Sequence, residues 1–361
     1  MEHSKDTITM TQLTMIMMLA IGLNNHVILI PLLLCVAGRD AWFSVCLTSL
    51  FALMLMGVMQ YIIRVSKQHH LGSWLRAQTR PMFANMLLCL VALPLFVTAV
   101  VTLRDTVSWA EISILPTTPS IVLVVALAAV CCYMAYAGIT SIAIISGLLL
   151  PLVVLLGFFV GASNLPHKDA PSLFPLFEHG WHPVFAGALY VSSGFSELIA
   201  LLFVQHCVKT NIRYWMLALN VLILAGLTLG PLCGAIMEFG PVEAANLRYS
   251  PFEEWRLVTF GHFVEHVDFM AIYQWLSGAF VRISFALFLV IEIFGIHRQQ
   301  KRVWYLMSLC GVVCALSLFP LSNMAFFYLL KRWIVPGTLY SIGVVAFFLV
   351  IFAWLSKQKK V

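Results

Sequence analysis

The stretch AIGLNNHVILIP, Ala20 to Pro31, decides how the chain is read. It lies inside an apolar run long enough to cross a bilayer, yet Gly22, Asn24, Asn25 and His26 fall near the middle of that run. Hydrocarbon offers no hydrogen-bond partner, and an unpaired backbone group there costs several kcal/mol. These residues therefore face protein, water or a ligand. Glycine and asparagine are also poor helix formers, so the reading predicts a broken first span.

The rest of the chain supports a membrane setting. Of its 361 residues 61% are hydrophobic and 10% charged, and the mean hydropathy is +0.96. A soluble domain carries about 25% charged residues. The composition excludes a soluble enzyme and indicates a polytopic integral membrane protein embedded in a lipid bilayer. The net charge of +6 is spread over loops and forms no basic face, so no nucleic-acid partner is expected. No short apolar core with a small-residue cleavage site opens the chain, and the first span is expected to double as the targeting signal. Nine cysteines are scattered through apolar runs without zinc-binding spacing, as expected of small buried hydrophobes.

Runs of roughly 20 apolar residues give ten expected spans: 11–36, 41–63, 82–104, 119–137, 141–161, 184–206, 213–237, 267–296, 303–319 and 338–355. The long run from Ser120 to Gly161 splits at Ala137-Gly138-Ile139-Thr140. With a cytoplasmic N-terminus the inner segments hold thirteen of the 21 basic residues (Lys5, Arg64, Lys67, Arg76, Arg80, Lys209, Arg213, Arg298, Lys301, Arg302, Lys357, Lys359, Lys360). Basic residues stay inside, so both termini are expected in the cytoplasm. Gln68 to Arg80 is too polar to cross and reads as a short interfacial helix, with Leu71, Trp74 and Leu75 on one face.

A second interruption is expected in the sixth span, GALYVSSGFSELIALLF, where Ser193, Gly194, Phe195 and Glu197 lie near mid-depth. Interruptions five spans apart are the sequence signature of inverted repeats around a mid-membrane site. The fold expectation is therefore an all-α integral membrane domain over 1–361. It comprises ten helices in a five-plus-five inverted-repeat, leucine-transporter-like core (repeats of about 11–161 and 184–355), with helices 1 and 6 broken around a ligand.

Ionisable groups inside spans are costly and point to function. Arg282 in the eighth span and Glu197 are the candidates, either as a helix-stapling ion pair or as a pocket wall gripping a carboxylate. Thr98 and Ser284 are weaker candidates, since hydroxyls inside spans often bond back to their own helix. His262-Phe-Val-Glu265-His266 matches the inverted zinc-protease pattern H-x-x-E-H, but three fixed residues at a loop–span boundary are too little to assign a metal. His69-His70 likewise reads as interface. No cofactor and no metal are expected, and no catalysis.

Several stretches resemble the spore germination permease family, the B subunits of nutrient germinant receptors. They are AGRDAW (Ala37 to Trp42), FPLFEHGWHPVFAGALY (Phe174 to Tyr190), GFSELIALLF (Gly194 to Phe203), and FVEHVDF with Trp275. Many members carry Gly-x-Gly seven residues before the first-span proline, where this chain has Asn24 and His26. The resemblance implies the fold of the amino acid–polyamine–organocation transporters, with a ligand pocket between spans one, three, six and eight. It also implies a role in nutrient-triggered germination beside A and C subunits in the inner spore membrane. The ligand expected is a small nutrient, an amino acid first. The alternatives are a secondary amino-acid permease and, remotely, a membrane metalloprotease.

Overall fold

The computed structural model describes residues 7–259, 267–296 and 298–358. Among them the regular structure is helical, with one isolated bridge between Ile8 and Val208. Eight stretches are long and apolar enough to cross a membrane by length and composition. The first, Met10–Ser66, has 57 residues. At about 1.5 Å per residue it is far longer than one crossing of a ~30 Å core.

That stretch turns back on itself. Its first leg is α1 (Met10–Leu23), a π turn (Asn24–Leu29) and α2 (Ile30–Ala37); its second is α3 (Ala41–Ser66). The turn lies in AGRDAW, where Gly38 adopts φ 52° and ψ −128°, a region open to glycine. Contacts with the sixth span fix the directions. Ile8 N–H donates to the Cys207 carbonyl at 2.8 Å, Gly187 abuts Ala37 and Ser44 at the opposite end, and Ser66 Oγ returns to the Gln205 amide. The two legs are antiparallel.

The chain continues through α4 (Leu71–Gln78), α5 (Pro81–Ser113), α6 (Ser120–Ala137) and α7 (Ile139–Ser163). Helix α8 (His182–Ser196) passes through a 3₁₀ turn, Glu197–Ile199, into α9 (Ala200–Val204) and a 3₁₀ turn, Gln205–Cys207. Then come α10 (Tyr214–Phe239), two short helices α11 (Pro241–Asn246) and α12 (Ser250–Arg256), α13 (Phe269–Ile293) and α14 (Gln299–Ser317). Helix α15 (Asn323–Leu329) runs through a π turn, Leu330–Ile334, into α16 (Val335–Gln358). The expected hairpin at Gly138 is present, with φ 93°, and a short helix, α4, forms where one is expected, with Leu71 and Leu75 buried. Helix α14 stands where the ninth span is expected, but its opening Gln299-Gln300-Lys301-Arg302 keeps it outside the eight apolar stretches.

Burial separates centre from periphery. The most apolar windows of Met10–Ser66 and Phe269–Ile293 are 83% buried, against 28% for α6, α7 and the α15–α16 segment. Helix α13 is thus the central post, packed on α1, α5, α6 and α7, while outer helices turn residues such as Leu148, Phe158 and Phe347 outward.

Two expectations need correction. Helices 1 and 6 are interrupted where expected, but neither is broken. Backbone angles are in the right-handed helical region at Leu23, Asn24, Leu29 and Ile30 and at Ser196, Glu197, Ile199 and Ala200, and the residues between them are helical. The first span widens into a π turn and the sixth tightens into a 3₁₀ turn. Proline explains the widening: Pro31 lacks an N–H and its ring crowds the carbonyl four residues back, so a wider turn just before it relieves the clash. The second π turn likewise precedes Pro336. In the sixth span Ser196 Oγ donates to the Ser193 carbonyl at 2.7 Å, a local bond that competes with the helical ladder. The third span is also longer than 82–104, so Arg104 and Asp105 are buried within α5 rather than standing at its end.

The two interruptions meet at Gly194, where an added Cβ would collide with Asn25 Oδ1 and Leu29. Gly194→Ala is expected to lower stability by about 1–3 kcal/mol through overpacking. Gly311→Ala, which meets nothing within 4 Å, loses none. Thermal unfolding of both variants in detergent checks the contrast.

Candidate functional site

Arg282 is the junction of the bundle. It projects from α13, and its Nη1 and Nη2 donate to Glu197 Oε2 and Oε1 at 2.7 and 2.8 Å, a two-pronged pair. Nη1 also donates to the Ala20 carbonyl at 2.7 Å, and Nε to Thr102 Oγ1 at 3.0 Å. The side chains are 4% and 13% exposed. One guanidinium thus joins α1, α5, the sixth span and α13. A buried charge is tolerable only when paired and hydrogen-bonded, and here most of the fork is engaged. The expected ion pair between Arg282 and Glu197 is present.

The other candidates distribute around this junction. Asn25 is 1% exposed; its Oδ1 lies against Gly194, Asn24 Nδ2 reaches it at 3.5 Å, and its own Nδ2 is buried without a hydrogen-bond partner. His26 approaches the Leu227 backbone of α10, and Gly22 faces Leu227 as well. Ser193 Oγ donates to the Val335 carbonyl at 2.8 Å, tying α8 to α16, and Phe195 is buried in the core. Thr98 lies half-buried one turn before Thr102. Ser284 bonds back to the Phe280 carbonyl at 2.6 Å. Two residues beyond Arg282, it is roughly 200° round the helix, on the side of Cys131 in α6. Neither Thr98 nor Ser284 touches Arg282; Thr102 and the Ala20 carbonyl, which do, were not among the expected residues.

At the α8 N-terminal end the motifs AGRDAW and FEHGW form one unit. Arg39 Nη1 pairs with Glu178 Oε2 at 2.9 Å, Phe177 N–H donates to Asp40 Oδ1 at 3.0 Å, and Phe43 meets the ring of Phe177 edge-on at 5.1 Å. Nearby, Arg248 from the α11–α12 segment pairs with buried Asp105 of α5 and lies over Tyr249 and Phe327. Arg104 donates to the Ser317, Phe319 and Leu321 carbonyls just past α14, the favoured place for a cation. On α12, Glu254 packs on Gly234. Burial, with Glu238 adding like charge and Lys168 opposing it, pushes the Glu254 carboxyl well above its ordinary range. At the opposite end His70, His206 and Glu292 converge. The H-x-x-E-H stretch at 262–266 lies outside the described residues.

Comparison with known proteins follows the same outline. A family model described as spore germination protein matches residues 7–326. The chain is also 39% identical over 349 residues to spore germination protein XB of Bacillus anthracis, covering 97% of this chain and 98% of that one.

Removing one partner of a buried ion pair leaves the other uncompensated, at a cost of about 3–5 kcal/mol. Arg282→Met and Glu197→Met are each expected to destabilise by that order, and the double variant by less than their sum; unfolding in detergent measures all three. Glu254 binds its proton more tightly folded than unfolded. Its contribution to stability is therefore fully present below the ordinary carboxyl range and is lost as pH rises through its raised value. Glu254→Gln should unfold at a higher temperature than wild type above neutrality, with the gap shrinking at acidic pH.

Proposed function

We propose that this chain, which belongs to the spore germination permease family, is the ligand-binding membrane subunit of a nutrient germinant receptor. In this reading ten helices cross the inner membrane of the spore with both termini in the cytoplasm. The ninth is α14 and the first two are the legs of Met10–Ser66. Residues 11–161 and 184–355 are the inverted repeats, and A and C subunits are the partners that relay the signal.

The observation that carries the proposal is the placement of Arg282, whose partners lie on spans one, three and six while Arg282 is on span eight. Arg282 and Glu197 cancel in charge, so a ligand entering between them is itself net neutral. An amino-acid zwitterion fits: its carboxylate replaces Glu197 on the guanidinium fork, while its ammonium pairs with the displaced Glu197. Asn25 Nδ2, buried without a partner, supplies a further donor to the carboxylate. Gly22 and Gly194 let main chain approach a small solute. The ligand then favours the arrangement in which α13 and the sixth span are parted, and that differential affinity alone shifts the equilibrium.

Spores carrying Arg282→Met, with receptor subunits at normal level, are the test. Losing a charge-assisted hydrogen bond is worth about 1.5–3 kcal/mol, so germination should require roughly 10–100-fold more nutrient or fail. A dose response identical to wild type removes Arg282 from the site. Net amino-acid uptake into liposomes by this chain alone would favour the permease reading.

A further inference from the structure

His70, His206 and Glu292 are 136 and 86 residues apart in sequence, yet each offers a ligand atom within 4.8 Å of the others. His70 caps α4, His206 ends the sixth span, and Glu292 lies in the last turn of α13. His206 Nε2 is 3.2 Å from Glu292 Oε1 and 3.4 Å from Cys207 Sγ. A tetrahedral ion bound at roughly 2.0–2.3 Å holds neighbouring ligand atoms about 3.4 Å apart; His206 already has that spacing to Glu292 and Cys207, and the His70 atom lies within 4.8 Å of the others. Glu292 is largely buried.

We infer that these three side chains form a site for a divalent transition metal of the zinc class, with Cys207 or water in the fourth position. Two imidazoles and a carboxylate are the ligand set of such ions, whereas magnesium and calcium take all-oxygen shells. His70 is supported from behind. Its Nδ1 lies 3.1 Å from Ser73 N–H and 3.2 Å from Ser73 Oγ, and its Nε2 is 2.8 Å from the Glu292 carbonyl. Without the ion, Nδ1 accepts from Ser73 N–H and Nε2–H donates to that carbonyl. Ligation through Nε2 would move the ring's single proton to Nδ1, where Ser73 Oγ can accept it, and would give up the bond from Ser73 N–H that caps α4. Such an outer partner orients a metal-bound histidine.

The ion would cross-link α4, the end of the sixth span and the end of α13. The last two carry Glu197 and Arg282 farther along, so binding holds the packed arrangement closed at this end. The site does not depend on the nutrient reading.

Untagged full-length chain in detergent, titrated with Co²⁺ alone, tests it. The expected result is one equivalent bound, with the visible absorption of tetrahedral cobalt, competed away by Zn²⁺. His206→Gln and Glu292→Gln should abolish those bands, and Ser73→Ala should weaken binding by roughly 10–100-fold. His206→Cys, which keeps a ligand, should retain binding and add a thiolate-to-cobalt band, so loss in His206→Gln cannot be ascribed to misfolding. Arg282→Met should bind cobalt as wild type does even where it abolishes the nutrient response. Wild-type chain that takes up no stoichiometric Co²⁺ or Zn²⁺, or His206→Gln that binds as tightly as wild type, overturns the inference.

Discussion

A guanidinium that stays charged cannot be left in hydrocarbon, and the bundle is arranged around satisfying one. Arg282 needs acceptors from every side, and the surrounding helices supply them in different currencies: a carboxylate from the sixth span, a main-chain carbonyl from the first, a hydroxyl from the third. Each acceptor must arrive at hydrogen-bond distance in fixed geometry, so the four helices cannot drift relative to one another. Helix α13 carries that charge, and its most apolar window is 83% buried, as is that of Met10–Ser66.

Close approach of the first and sixth spans is what brings those acceptors in. Gly194 has no side chain, so Asn25 and Leu29 can lie directly on its main chain. The π turn before Pro31 rotates the residues that follow it relative to those before, so one span presents Ala20 toward Arg282 and Leu33 toward Gly187. Interrupted hydrogen bonding inside a span is tolerated only where protein covers it, and here the π turn lies on Gly194 of α8, just before the 3₁₀ turn.

The sequence shows much of this and misleads in identifiable places. Long apolar runs are unambiguous, so α3, α6, α7 and α10 lie within a few residues of expectation, and the cost of Asn24, Asn25 and Glu197 in lipid marks both interruptions. Their form has local signals, Pro31 after the first turn and Ser196 beside the second, but polar residues in a span do not by themselves tell a shifted register from a break. Arg104 and Asp105 look like the end of a span because charges usually stop one. They are instead inside α5, compensated by carbonyls past α14 and by Arg248, more than a hundred residues away. Thr98 and Thr102 share a helix face and cannot be told apart by spacing; only the length of the Arg282 side chain selects Thr102. No spacing rule links positions 70, 206 and 292.

Two contacts between the same pair of elements carry the mechanical consequence. Glu197 and His206 lie nine residues apart on the sixth span, and Arg282 and Glu292 lie ten apart on α13. Both helices rise about 1.5 Å per residue, so the two contacts, Arg282–Glu197 and Glu292–His206, stand about 15 Å apart along one seam. A rigid helix pinned at two such points can neither slide nor tilt without breaking one of them. Disturbing the mid-membrane pair therefore loads the far contact, and strengthening the far contact opposes separation at the middle. Coupling of this kind is reciprocal by linkage. It requires no relay of intermediate residues, because the two helices themselves transmit the displacement, and α4, joined through His70 to the Glu292 carbonyl, moves or stays with them.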